Sequence, residues 1–193
     1  MRDPFNERKA TQAASRFLRL SDGRMNYTIL IKLLYLLERF ALQRWGRKVF
    51  FDDYCSMHKG PVVKHVKELI TDMPWPGDEN IWTSYISPPS NYEVSLVAGR
   101  DIGNDELSEA EEELIDEIFK QYGHYSWDEL VNQIMHDLPE WDSTVQPGNS
   151  IPLAERSILV AGNKSADQIA AIEGDLECLK AVDSFLVHPS IVR

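Results

Sequence analysis

Hydrophobic and polar positions alternate with helical spacing from the start of the chain. Ala10, Ala13, Ala14, Phe17 and Leu18 fall on one side of the segment from Glu7 to Leu20, which predicts an amphipathic helix. Ser21-Asp22-Gly23 stops it. Asn26 suits the cap of a second helix that runs to Trp45, with Gly46 as its C-terminal stop. In that helix Ile29, Leu30, Ile31, Leu33, Leu34, Leu36 and Leu37 cover most of the circumference, which predicts a central, buried element. Its polar exceptions, Thr28, Lys32, Tyr35 and Arg39, are spaced three or four apart and share one stripe. An unpaired buried charge is costly, so Lys32 is expected to meet a carboxylate or a set of backbone carbonyls.

Further on, Tyr54 to Met57 reads as a short strand. Gly60-Pro61 punctuates the chain, and Pro61 suits the first residue of a helix whose apolar face is Val62, Val63, Val66, Leu69 and Ile70. Pro74-Trp75-Pro76-Gly77-Asp78 reads as a rigid loop. Ile81 to Ile86 and Tyr92 to Val97 are rich in β-forming residues and read as a hairpin across Ser87-Pro88-Pro89-Ser90-Asn91. Ser108 with Glu111 is a capping-box signature for a helix to about Tyr122, and Ser126 with Glu129 repeats it for a helix ending near Pro139. Gln146-Pro147-Gly148-Asn149 is another loop. Ser165 to Val187 predicts a long last helix, broken or bent near Gly174. These elements make an α+β fold, predominantly helical, in a single compact domain with a small antiparallel β-hairpin or sheet. Residues 146–193 are expected to form a helical extension packed on the same domain.

The 193 residues suit one domain with its own core. Apolar content of 43% and charged content of 26% are ordinary for a globular protein. The start lacks an apolar signal-peptide core, and no run reaches membrane-spanning length. Cys55 and Cys178 lie far apart, with no metal-ligand spacing and no disulfide framework. A cytoplasmic protein without cofactor or metal is the expectation.

Charge is unevenly spread. Residues 1–70 carry 14 Lys or Arg against 7 Asp or Glu, whereas the remainder of this chain of net charge −11 carries 6 against 24. The densest acidic run is Asp105 to Glu117. Such asymmetry fits a charged partner, two halves that attract each other, or a plain solvated helix face. The acidic balance argues against DNA binding as the main task, since phosphate contacts need clustered Lys and Arg. The basic first third leaves only a weak DNA-binding option.

Two groups of residues carry a resemblance. The first is Lys32-Leu33-Leu34-Tyr35-Leu36, the Gly46 turn, Asp53-Tyr54 and His58-Lys59-Gly60-Pro61. The second is Trp127 with His136-Asp137-Leu138-Pro139-Glu140-Trp141. In this order they resemble the Panacea (SocA-like) domain over roughly residues 10 to 142. The Panacea-like domain is taken as residues 1–145. The resemblance implies the antitoxin of a bacterial or prophage toxin–antitoxin system, a form of phage defence, that neutralises a cognate, nearby-encoded protein toxin by direct binding. It also implies an alternative, an adaptor that delivers the toxin to a protease or a regulatory protein of a mobile element. The toxins of the family are unrelated to one another, so the target stays open.

A catalytic alternative centres on the His58/His136 region, with His65, Asp52, Asp53 and Cys55 as further candidates. The spacings form no recognised metal or nucleophile pattern, and Gly-rich phosphate loops are absent. No catalytic residue is therefore assigned. His58 and His136 suit structural roles at Pro-containing boundaries, where an imidazole can donate to one group and accept from another. Trp141 is expected behind Pro139. A further possibility gathers Lys32, Tyr35, His58 and His136 into one buried polar cluster.

Interfaces favour Trp, Tyr and Arg anchors. The candidate toxin-binding surface is therefore Trp75, Trp82, Tyr85 and Tyr92 with the acidic residues Glu109, Glu112, Glu113 and Asp116. Strand alternation places Trp82 opposite Tyr85, so at least one of the two is expected to point inward.

Overall fold

The computed structural model describes residues 5–71 and 80–186. Helix α2 (Tyr27–Trp45) runs through the centre, with Leu30, Leu33, Leu34, Leu37 and Leu42 fully buried. Asn26 caps it by accepting from the Thr28 and Ile29 N–H groups, and Gly46 ends it at φ 66°. That left-handed geometry is cheap only for glycine. Helix α1 (Glu7–Leu20) packs Ala10, Ala13, Ala14, Phe17 and Leu18 into the same core.

On one side of α2 lies a three-stranded antiparallel sheet in the order β3-β2-β5, made of β2 (Tyr54–Met57), β3 (Gly60–Val63) and β5 (Ser150–Leu153). Both outer strands carry a proline: Pro61 stands opposite Ser56, and Pro152 opposite Cys55. Antiparallel pairs alternate between hydrogen-bonded and non-hydrogen-bonded, and proline has no N–H to donate. Both prolines therefore occupy non-hydrogen-bonded positions, with their nitrogens turned to the outer edges. An edge that lacks a donor is a poor template for strand addition.

The region after Pro61 differs from the helix expected there. Val62 and Val63 pair with Cys55 and Tyr54, and helix α3 (Lys64–Thr71) starts only after them. The β-branched pair gains more from the sheet than from a helical turn. Asp52 supplies the helix start from a distance, accepting from the His65 N–H at 2.8 Å and the Val66 N–H at 3.0 Å.

Ile81 to Tyr85 is also helical rather than a strand (α4), capped by Asn80. Its Trp82 N–H donates to Glu7 Oε1 of α1 at 2.9 Å. Of the expected hairpin there remain two isolated bridges, Ile86 with Leu96 and Ser90 with Glu93, and the backbone bonds Ser87 N–H to Ser95 and Val97 N–H to Tyr85. Strand β4 (Glu93–Ser95) pairs instead with β1 (Arg24–Asn26), a strand that the turn-rich sequence around Gly23 conceals.

Helix α5 (Glu109–Tyr122) begins with the complete Ser108–Glu111 capping box. Helix α6 (Trp127–Glu129) begins with the same device at Ser126 and Glu129. It continues as a π-helical turn over Leu130–Ile134 and a 3-10 turn over Met135–Asp137. After β5 come α7 (Glu155–Ala161), which packs on α2, and α8 (Ala166–Leu186). Helix α8 passes through Gly174 as one continuous element rather than breaking there. The result is an α+β protein dominated by helices. Among the described residues, no helix is long and apolar enough to cross a membrane.

Candidate functional site

The polar stripe of α2 meets two separate sets of partners. Lys32, 2% exposed, donates from Nζ to the Gly60 carbonyl at 3.1 Å and the Pro61 carbonyl at 2.9 Å. The Pro61 carbonyl faces away from β2, so the ammonium does for the edge of β3 what a further strand would do. Burial, with a smaller push from Lys59, lowers the Lys32 amine to about 7. One turn on, Tyr35 donates from its hydroxyl to Glu140 Oε1 at 2.9 Å, and Arg39 Nε donates to the same oxygen at 2.5 Å. The Glu140 side chain is fully buried. Arg39 also reaches Gln43 at 3.1 Å, and Gln43 donates to the Ile158 carbonyl of α7. Burial and the nearby Glu140 carboxylate push the Tyr35 hydroxyl well above its ordinary range.

Glu38, also fully buried, lies off this stripe. It accepts from the Phe50 N–H at 2.8 Å, the Val49 N–H at 3.2 Å and the Tyr54 hydroxyl at 3.1 Å. Burial raises its carboxyl to about 7, against the opposing pull of Lys48 and the two backbone donors. Lys48 donates to the Asp52 carbonyl at 2.8 Å and pairs with Glu155 at 2.7 Å. The residues around Asp53-Tyr54 are thus pinned to α2, α3 and the segment after β5 at once.

His58 and Lys59 form the two-residue tip between β2 and β3, and His58 is exposed. It does not join Lys32 and Tyr35 in one cluster, because the hairpin turns it outward. Gly60 has φ +93°, and a β-carbon there would lie 2.6 Å from Met135 Cβ. The glycine is required both by its backbone and by the close approach of the 3-10 turn. His136 stacks on Trp141 with ring centroids 4.1 Å apart and planes 7° apart. Trp141 donates from Nε1 to the Met57 carbonyl at 2.9 Å, and the Asp142 N–H reaches Ser56 Oγ at 3.2 Å. The segment from His136 to Trp141 therefore clips the β2–β3 hairpin and supplies the counter-charge for α2.

Asp52 holds His65 through Nδ1 at 2.8 Å as part of the α3 cap. Asp53 is exposed, and its carbonyl accepts from the Lys64 N–H at 2.8 Å. Cys55 is buried and Cys178 exposed, both as free thiols. Among the described residues, no group of three or more His, Cys, Asp and Glu could hold a metal ion.

The candidate interface residues are distributed differently from the sequence reading. Trp75 lies outside the described residues. Trp82, 1% exposed, belongs to the core and offers no surface to a partner. Tyr85 is half-buried, and Tyr92 is 71% exposed at a tight turn. Asn91 and Tyr92 both have positive φ, at 52° and 64°, a conformation rare for a bulky side chain. Ser90 and Glu93 close the turn with reciprocal backbone hydrogen bonds. The Tyr92 carbonyl accepts the Tyr27 N–H at 2.9 Å, so the turn is tied to the start of α2.

The acidic run faces its own chain. Arg16 of α1 pairs with Glu112, and with Asp116 at 2.7 Å. Lys9 pairs with Glu111 at 3.0 Å, and Arg44 of α2 with Glu117 at 2.5 Å. Arg8 pairs with Asp105 at 3.1 Å, and Arg19 with Asp101 at 2.8 Å. The two halves of opposite charge attract each other within one molecule. Glu109 and Glu113 remain exposed on α5.

The profile of the family described as antitoxin SocA-like, Panacea domain, matches residues 30–142. The chain belongs to that family. The matched segment runs from the core of α2 to the hydrogen bond that Asp142 makes to β2. No curated protein and no solved structure matches the chain. Glu140 stands inside the His136–Trp141 motif, which gives it no role of its own, and Glu38 belongs to no motif. A Glu one residue before Arg39, in a helix apolar on nearly every side, was the available signal for Glu38. Nothing local marks Glu140 as the partner of Tyr35 and Arg39.

Proposed function

We propose that this chain is the antitoxin of a bacterial or prophage toxin–antitoxin pair, and that it neutralises a cognate protein toxin by direct binding in the cytoplasm. The observation that carries the reading is membership of an antitoxin family across residues 30–142. The protein acts on this reading as a binding module, not as an enzyme, and needs no cofactor. Residues 1–145 form the Panacea-like domain, and the segment after them is an extension that adds β5 to its sheet.

The docking surface on this reading is centred on Tyr92, with Tyr85 as its second aromatic and Glu109 and Glu113 as its acidic members. A Tyr held at positive φ on an exposed turn is pre-ordered, which lowers the cost of burying it against a partner. Glu112 and Asp116 contribute through Arg16, by holding α5 in place. The test is growth of cells that express the adjacent open reading frame, with and without this chain, followed by co-purification. Rescue with a stable complex that Tyr92→Ala and Glu109→Lys/Glu113→Lys weaken supports the reading. Rescue without a complex points to delivery of the toxin to a protease. A neighbour with no toxicity removes the basis of the proposal.

A further inference from the structure

A cleft of about 310 Å³ opens between the first turns of α2, the β2–β3 hairpin, α3 and the Pro147-Gly148 loop. Lys32, Lys59, Lys67 and His58 line it against Ile31 and Val62, and no carboxylate is among the described residues that line it. In a chain of net charge −11, three lysines around one small cavity with no counter-charge among the described lining residues are unusual. Elsewhere several basic residues of the first third pair with carboxylates, among them Lys9, Arg16, Arg39, Arg44 and Lys48.

Lys32 supplies the depth of the site. Its ammonium has three N–H donors, and the carbonyls of Gly60 and Pro61 take two. The third has no partner among the described residues, although the residue is 98% buried. Lys59 is held over the Trp127 ring at 4.7 Å, and Lys67 lies 3.4 Å from Thr71 Oγ1, so both keep donors for a ligand. A buried cation with an unused donor is costly, and a charge-assisted hydrogen bond to an anion offsets that cost.

We infer that this cleft binds a small carboxylic acid, with the carboxylate between Lys32 and Lys59 or Lys67 and an apolar body against Ile31 and Val62. A carboxylate needs few donors and tolerates an apolar wall. A phosphate dianion would lose hydration that one deep ammonium and these walls do not replace. The lowered pKa of Lys32 agrees with this arrangement, since an anion here restores the charged amine.

The test is NMR of the full chain carrying 13C-labelled lysine, titrated with phenylacetate, with inorganic phosphate and with chloride. Phenylacetate is expected to shift the Lys32 and Lys59 signals saturably, while phosphate and chloride produce only small, non-saturating changes. Lys59→Gln/Lys67→Gln changes residues at the cleft mouth and leaves the Lys32 contacts to β3 intact. This variant is expected to weaken phenylacetate binding about tenfold or more. Lys32→Met should abolish binding, but it also removes the hold on β3, so the double variant decides. The inference is overturned if phenylacetate gives no saturation up to about 50 mM. Equal responses to phosphate and phenylacetate, or an unchanged response in the double variant, also overturn it.

Discussion

Arg39 and Glu140 meet at 2.5 Å although 101 positions separate them in the chain. Their contact joins the central helix to the far end of the family-matched segment. Tyr35 shares the same carboxylate, so one buried acid serves two residues on consecutive turns of α2.

Removing that acid leaves a cation without its partner in the interior. Glu140→Ala is expected to cost about 3–5 kcal/mol, the usual penalty for breaking a buried pair from one side. Arg39→Met/Glu140→Leu should cost much less, because no charge is stranded. Urea denaturation of the three proteins checks this. A double variant as unstable as Glu140→Ala would show that the stranded Arg39 charge is not what makes the single change costly.

Two buried groups give stability an unusual dependence on pH. The Glu38 carboxyl is raised from 4.5 to about 7. Between these values the folded protein holds a proton that the unfolded chain has lost, so stability falls as pH rises from 4.5 to 7. The Lys32 amine is lowered from 10.5 to about 7. Between these values the unfolded chain holds the extra proton, so stability rises with pH from 7 to 10.5. The two contributions together place a trough near neutrality. Glu38→Gln should flatten the acid side and Lys32→Met the alkaline side, read as melting temperature against pH. Wild-type and variant curves that run parallel across these windows would refute the assignment.

Gly60 is expected to tolerate no side chain. Gly60→Ala combines a left-handed backbone with a β-carbon 2.6 Å from Met135 Cβ, and about 2 kcal/mol or more of stability should be lost. Adding Met135→Gly removes the clashing β-carbon but not the backbone cost, so recovery should be partial. Full recovery in the double variant would assign the whole effect to packing.

The pairing of α1 with α5 is open to charge exchange. Arg16→Glu places three acids together and should cost about 1 kcal/mol or more. Arg16→Glu/Glu112→Arg/Asp116→Arg should regain most of that, and the gain should shrink in high salt. Thermal melts at low and high ionic strength measure both effects. A triple variant no more stable than Arg16→Glu would sink the claim that charge complementarity joins these helices.

Tyr92→Gly separates stability from function. Glycine adopts φ 64° without strain, so the variant should be more stable by about 1 kcal/mol. On the proposed docking surface it should also bind the toxin less tightly. Melting temperature and affinity that both fall would show that Tyr92 packs within the fold rather than presenting itself to a partner.

The central helix and its polar stripe were legible in the sequence, because a run of Leu and Ile broken at positions three and four apart leaves few alternatives. The kind of partner that Lys32 requires was legible too, and the carbonyls of Gly60 and Pro61 are one of the two kinds expected. The partner of Arg39 was not, since it lies on a segment with no periodic link to α2. Ile81 to Ile86 misled through composition: β-branched and aromatic residues were read as a strand, whereas the Asn80 cap and the Glu7 contact favour a helical turn. Pro61 misled in the same way, because a proline that can open a helix can equally stand on the outer edge of a sheet. Strand β5 was invisible because a short run containing Pro152 is a strand only when β2 stands beside it. For the interface, exposure was the missing quantity. Trp82 and Tyr92 are both aromatic and adjacent to turns, yet one is core and the other is solvent-facing.

The distance along the chain between Arg39 and Glu140 also sets a clock. At a synthesis rate of about 5–20 residues per second, roughly 5–20 seconds pass between the emergence of one and the arrival of the other. During that interval the central helix has left the ribosome with its cation uncompensated and the β2–β3 hairpin unclipped. A newly started chain is therefore incomplete for most of its own translation, and its window for capture by chaperones or proteases closes only when the segment from His136 to Asp142 is out.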